Sequence, residues 1–162
     1  MDTIICGVDI RQFISSAEKI RSTARSHRDF AVGCVGVSKA SGCVSTFEAA
    51  NSRPDPSYPK NCAEMRVLRM AKEAGVELLA ILVIGDPQPD ERSGVVSPTL
   101  HPCGECRDKM EAEVGRVGGA VRLGTPIFTV RASDHFMECH TVEELFRVHG
   151  TFTGSPSPSS GG

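Results

Sequence analysis

The chain has 162 residues, with 18 Lys and Arg set against 20 Asp and Glu for a net charge of −2. One compact domain is expected at this length, because a second would be undersized, and 40% hydrophobic with 23% charged residues is the ordinary balance of a folded globular chain. The slight acidic excess, the absence of Trp and the single Tyr argue against polymeric nucleic acid as a partner, since DNA and RNA are held by basic surfaces and aromatic stacking.

The first segment, MDTIICGVDIRQF, carries an early acid and neither a basic start nor a long apolar core, so no secretory signal is expected and a cytoplasmic location follows. No apolar run approaches the ~18 residues of a membrane span. Ile10, Phe13, Ile14, Ala17 and Ile20 recur at helical spacing, which predicts a helix to about residue 24. Lys19, Arg21, Arg25 and Arg28 on or just after it read as a solvated face. The pattern then changes to strand: 30–37 is apolar and β-branched, Lys39 to Gly42 a turn, and 43–47 its hairpin partner. The loop 50–61 contains three prolines and is not expected to be regular.

Val67, Met70, Ala71 and Ala74 restore the helical period from Ala63, with Gly75 as the stop signal. Leu78 to Ile84 is an apolar run of strand length, followed by a second irregular loop, 85–102. A helix is predicted from Cys103 to about Val114, strands at 127–130 and 136–139, and a short helix at 141–146. Thr141 followed three residues later by Glu144 is a capping-box pattern. The order predicts an α/β domain over 1–153, a mixed sheet with helices on both faces. The Ser, Pro and Gly of 154–162 predict a disordered tail.

Seven cysteines is an odd number, and a reducing compartment disfavours disulfides. Cys6, Cys34, Cys43 and Cys139 lie in or beside apolar or terminal stretches and read as small hydrophobes. Cys62-Ala63-Glu64 and Pro102-Cys103-Gly104-Glu105-Cys106-Arg107 each sit at a predicted helix start. A lone C-x-x-C also occurs in redox motifs and structural zinc sites. Here no second C-x-x-C completes a four-cysteine site, and three protein ligands with one open position is the arrangement of a catalytic zinc. Helix N-termini favour thiolates through their N–H groups and dipole. Glu64, two residues after Cys62, can approach the water without ligating the metal, and one carboxylate there can act as acid and base.

Cys-Ala-Glu followed about forty residues later by Pro-Cys-Gly-x-Cys-Arg resembles the cytidine deaminase family, over roughly residues 30–152. The resemblance implies a three-layer α-β-α fold with a mixed five-stranded sheet, Zn²⁺ held by Cys62, Cys103 and Cys106, and Glu64 as the proton carrier. It implies that Phe30 lines the base pocket and that Ala63 and Glu48 contact substrate. Thr46 stands where the family carries a sugar-binding Asn, and blasticidin S deaminases resemble the chain in lacking that Asn. Tyr58, in the proline-rich loop, reads as cover for that loop. Met65 replaces the family's frequent Arg, and Arg66 is about 100° further round the helix. Arg107 is a candidate donor to a thiolate, its alternative being a surface arginine. Phe146 and Phe152 are candidates for reaching a neighbouring subunit, in the homotetramer (or homodimer) that the resemblance implies.

The expected activity is zinc-dependent hydrolytic deamination of a free cytosine nucleoside, cytidine or deoxycytidine. The alternatives are a nucleoside antibiotic such as blasticidin S, another amino-heterocycle, cytosine in DNA or RNA, which the charge and the lack of a basic groove disfavour, or a purely structural zinc.

Overall fold

A computed structural model describes residues 1–150; the expected tail and Phe152 lie outside them. The main sheet has five strands: β1 (Gly33–Ala40), β2 (Cys43–Ala50), β3 (Ala80–Gly85), β4 (Pro126–Arg131) and β5 (Met137–Thr141). Their spatial order is β2-β1-β3-β4-β5. Only β3 and β4 run parallel; the other three pairings are antiparallel, so the sheet is mixed as expected.

Side chains alternate faces along a strand, and both faces here are apolar. Cys34, Ile81, Val83 and Ile127 pack on one side beneath α2 (Ala63–Ala74), α3 (Gly104–Val114) and α4 (Val142–His149), against Val67, Leu68, Met110 and Leu145. The opposite parity, Val35, Val37, Leu82, Ile84, Phe128 and Val130, packs against Ile10 and Ala17. Ile10 opens a 3₁₀ turn at Ile10–Phe13 and Ala17 belongs to α1 (Ile14–Arg21). The central strands are therefore buried on both sides, which makes three layers.

Gly33 lets β1 touch α1 directly. A Cβ there would stand 2.2 Å from the Ala17 carbonyl oxygen, a separation no side chain survives. Two helix ends match their sequence signals. Gly75 closes α2 at φ 69°, the left-handed conformation glycine adopts cheaply. Thr141 caps α4 by accepting from the Glu144 amide at 3.1 Å, and the Glu144 carboxylate accepts from the Thr141 amide at 2.8 Å.

Several boundaries differ from the sequence expectation for local reasons. The first helix is shorter and begins as a 3₁₀ turn, its start fixed by the Asp9 side chain accepting from the Arg11 amide. β1 starts at Gly33 because the preceding segment bonds to a side chain: Asn51 accepts from the Val32 amide and donates to the Phe30 carbonyl, both at 2.7 Å. β2 continues to Ala50, and Ser52–Arg53 pairs briefly with Arg25–Ser26 inside the loop expected to be irregular. Phe146 is 1% exposed in the core beneath the sheet, so it fills its own domain and is not an arm toward a neighbour. Among the described residues, no helix is long and apolar enough to cross a membrane.

Candidate active site

Two helix N-termini meet where β1 begins and where β2 and β3 end. Cys62 is the N-cap residue of α2 and Cys103 that of α3, both in extended backbone, with Cys106 in the first turn of α3. Oxygen side chains usually cap helices; sulfur at both caps places two thiols beside backbone N–H groups and positive dipole ends. Cys62 Sγ lies 3.4 Å from Cys103 Sγ, and Cys103 Sγ 3.3 Å from Cys106 Sγ. All three lie within 4.8 Å of one another.

Three sulfurs about 2.3 Å from a tetrahedral zinc would stand about 3.8 Å apart. The cluster needs to open by only a few tenths of an ångström, so the donor set fits zinc. Bonds with the Cys106 and Cys62 thiols hold the Cys103 thiol far below its ordinary pKa. A metal bound there displaces the protons that the sulfurs carry.

Glu64 is 4% exposed. Burial first, then the negative charge of Cys103, raises its carboxyl to about 7. A carboxyl poised there can hold or release a proton near neutral pH. Lys60 offsets the negative sulfurs from the loop side: burial works against its charge, but Cys103, Cys62 and Glu105 outweigh that and hold the ammonium above its usual range. Met65 is buried, and Arg66 is committed to the Ala50 carbonyl at 2.6 Å.

Cys62, Cys103, Glu64, Ala63 and Phe30 line one cavity of about 890 Å³, counting its solvent-open mouth. Val32 and Leu100 add apolar wall; Asn51, Arg53, Lys60 and Arg28 line it as well. Thr46 and Glu48 are absent from that lining. Both are exposed on β2, opposite Val37 and Val35. At about 3.3 Å per residue, Glu48 stops about 10 Å short of Asn51. The chain reaches the cavity only where β2 ends, so Asn51 and Arg53 arrive where Thr46 and Glu48 were expected. Tyr58 is 51% exposed, and its backbone carbonyl accepts from Arg53 Nε at 2.8 Å. It belongs to the loop cover.

Arg107 is no surface arginine. It is 1% exposed and pairs with Asp90 at 2.7 and 3.2 Å, while its Nη1 also donates to the Pro102 carbonyl at 2.8 Å. That pair ties the loop 85–102 to the residue preceding Cys103. Burial alone would raise the Asp90 carboxyl, yet Arg107 and the Ser93 amide hold it well below the usual carboxylate range. Asp90 was invisible beforehand because nothing local in the sequence pairs it with Arg107.

Residues 8–117 match the family described as the cytidine and deoxycytidylate deaminase zinc-binding region. The chain belongs to that family. It is therefore a zinc-dependent hydrolytic deaminase. Its structure is similar to that of cytidine deaminase from Burkholderia pseudomallei, with TM-score 0.61 and 22% identity over 83% of this chain and 94% of that one. It is also similar to cytidine deaminases from Mycobacterium leprae, at TM-score 0.58 and 18% identity over 85% and 97% of the two chains, and Mycobacterium tuberculosis, at 0.54 and 25% over 86% and 94%. A search of curated protein sequences finds no match. The deaminase thus shares the fold of these enzymes at low sequence identity.

Proposed function

We propose that this deaminase acts on a free cytosine nucleoside, with Cys62, Cys103 and Cys106 holding the zinc and Glu64 moving the protons. The observation that carries this reading is the placement of the buried Glu64 carboxyl in the wall of the cavity that Cys62 and Cys103 also line. When bound, zinc supplies the positive charge that makes the attacking water acidic.

The reaction replaces an amine by an oxygen. Water adds at the amino-bearing ring carbon, and Glu64 takes one of its protons and passes it to the adjacent ring nitrogen. The second proton travels by the same carboxylate to the amine, which leaves as ammonia. One carboxyl can do both because it takes up the proton in one step and returns it in the next. Phe30, Val32, Ala63 and Leu100 offer flat apolar walls suited to a pyrimidine ring. Asn51 spends one amide N–H and one lone pair on the Phe30–Val32 backbone and keeps one of each for a sugar hydroxyl. An interior of small apolar walls suits a free nucleoside. A homotetramer accompanies this reading through the family resemblance.

Deamination of a larger nucleoside, such as blasticidin S, is favoured by one observation. Arg28, Arg53 and Lys60 line the cavity together with Glu91, which pairs with Arg28 and Lys60, and a substituent longer than ribose would reach these charges of both signs. An ultraviolet assay of zinc-loaded protein with cytidine, deoxycytidine and blasticidin S separates the two. Absorbance loss with cytidine or deoxycytidine supports the first reading, turnover of blasticidin S alone supports the second, and silence on all three overturns both.

A further inference from the structure

Beside the cavity, β5 carries Glu138 and His140, two residues apart and therefore on one face of the strand. They meet His101, from the segment just before α3. One ligating atom from each of the three lies within 4.8 Å of the others. His101 Nε2 is 3.2 Å from Glu138 Oε1, and the His101 and His140 rings meet edge to face with centroids 4.9 Å apart. Nitrogen and oxygen donors about 2.0–2.2 Å from one tetrahedral ion stand about 3.3–3.6 Å apart. Nδ1 of His140 is buried with no hydrogen-bond partner, a rare state for a buried polar atom and one that a ligand would relieve.

The surroundings are those of an oriented donor set. His101 Nδ1 is 3.0 Å from His149 Nε2, and His149 Nδ1 is 2.7 Å from Ser93 Oγ. A proton on His101 Nδ1 donating to His149, with His149 Nδ1–H donating to Ser93, frees the His101 Nε2 lone pair toward Glu138. Outer hydrogen bonds of this type fix the tautomer of a metal-binding histidine. The Thr99 hydroxyl donates to Glu138 Oε1. The Glu138 side chain is 22% exposed, which leaves an entry path.

We propose that His101, Glu138 and His140 form a second metal site, for a borderline divalent transition ion of the zinc class, separate from the three sulfurs. Two imidazoles and one carboxylate suit such ions better than Mg²⁺ or Ca²⁺, which prefer all-oxygen ligands. An ion there joins β5 to the segment that ends at Cys103, so it braces the cavity wall to which His101 contributes. Glu138 and His140 do not line the cavity, and the site holds whichever nucleoside the deaminase accepts.

Metal-stripped protein titrated with Zn²⁺, and in parallel with Co²⁺, tests this. Wild type takes two equivalents per chain against a weak competing chelator. With Co²⁺, only one equivalent shows sulfur-to-cobalt charge transfer. His140→Ala and Glu138→Gln each take one equivalent, with that charge-transfer band and the deaminase turnover retained; the retained band also reports intact folding. Cys103→Ala loses the band and keeps the other equivalent. A wild-type stoichiometry of one, which needs no variant, overturns the proposal, as does a second equivalent that survives both His140→Ala and Glu138→Gln.

Discussion

Two Arg–Asp pairs in this chain share the same bidentate chemistry and differ in burial, which makes them a matched experiment. Arg107 and Asp90 bond at 2.7 and 3.2 Å with side chains 0% and 6% exposed. Arg92 and Asp108 bond at 2.9 and 3.1 Å with side chains 43% and 55% exposed. Asp108→Ala releases a guanidinium into water and should cost at most about 1 kcal/mol. Asp90→Ala takes the carboxylate from a buried guanidinium, removes the acceptor of the Ser93 amide and should cost about 3–5 kcal/mol. In a domain of this size that lowers the melting temperature by about 6–20 °C.

Urea denaturation of zinc-loaded protein gives both values. The Asp90 contribution also has a pH signature. Its pKa is depressed in the folded state, so its stabilisation is complete above the unfolded value of about 3.9 and is lost as pH falls below it toward the folded value. The gap between wild type and Asp90→Ala should therefore be constant from pH 5 to 7 and narrow below about pH 4. Equal costs for the two alanine variants, or a gap that widens on acidification, would refute the reasoning.

Other outcomes follow from single contacts. Gly33→Ala drives a methyl against the Ala17 carbonyl oxygen and should destabilise by about 3 kcal/mol or more, because backbone cannot step aside as a side chain can; a urea midpoint unchanged from wild type would contradict the close approach. Thr141→Ala removes one bond of the α4 capping box and should cost about 1 kcal/mol, measured the same way, with no loss of zinc. Cys103→Ala removes the sulfur that touches both others and should empty the sulfur site, read as lost cobalt–thiolate absorbance; an undiminished band would sink the ligand set.

The layered fold was legible in the sequence because its strands are buried on both faces and its helices carry apolar stripes. Gly75, and Thr141 with Glu144, marked their helix ends directly. The three cysteines and Glu64 were legible because each pair of motif residues is local, two or three positions apart at a helix start. Contacts to substrate were not. Thr46 and Glu48 were read by motif likeness, but the length of β2 decides which residue enters the cavity, and that length depends on its pairing with β1. Arg107 and Asp90, seventeen positions apart, meet only because the loop 85–102 folds back on α3. The cluster of His101, Glu138 and His140 depends on the placement of β5 beside β4, again beyond any local pattern. The family resemblance alone makes Phe146 a candidate for reaching outward, whereas the period of α4 places it with Val142 and Leu145 in the core.

We propose that a zinc held by three sulfurs works with the Glu64 carboxylate to remove ammonia from a cytosine nucleoside. The most direct measurement is ammonia release from cytidine or deoxycytidine by zinc-loaded wild type and Glu64→Gln, with metal content read on the same samples. Equal zinc in both proteins, turnover by wild type, and a fall of about 10²–10⁴-fold or more in the variant are expected. Turnover by Glu64→Gln within a few-fold of wild type would contradict the proposal.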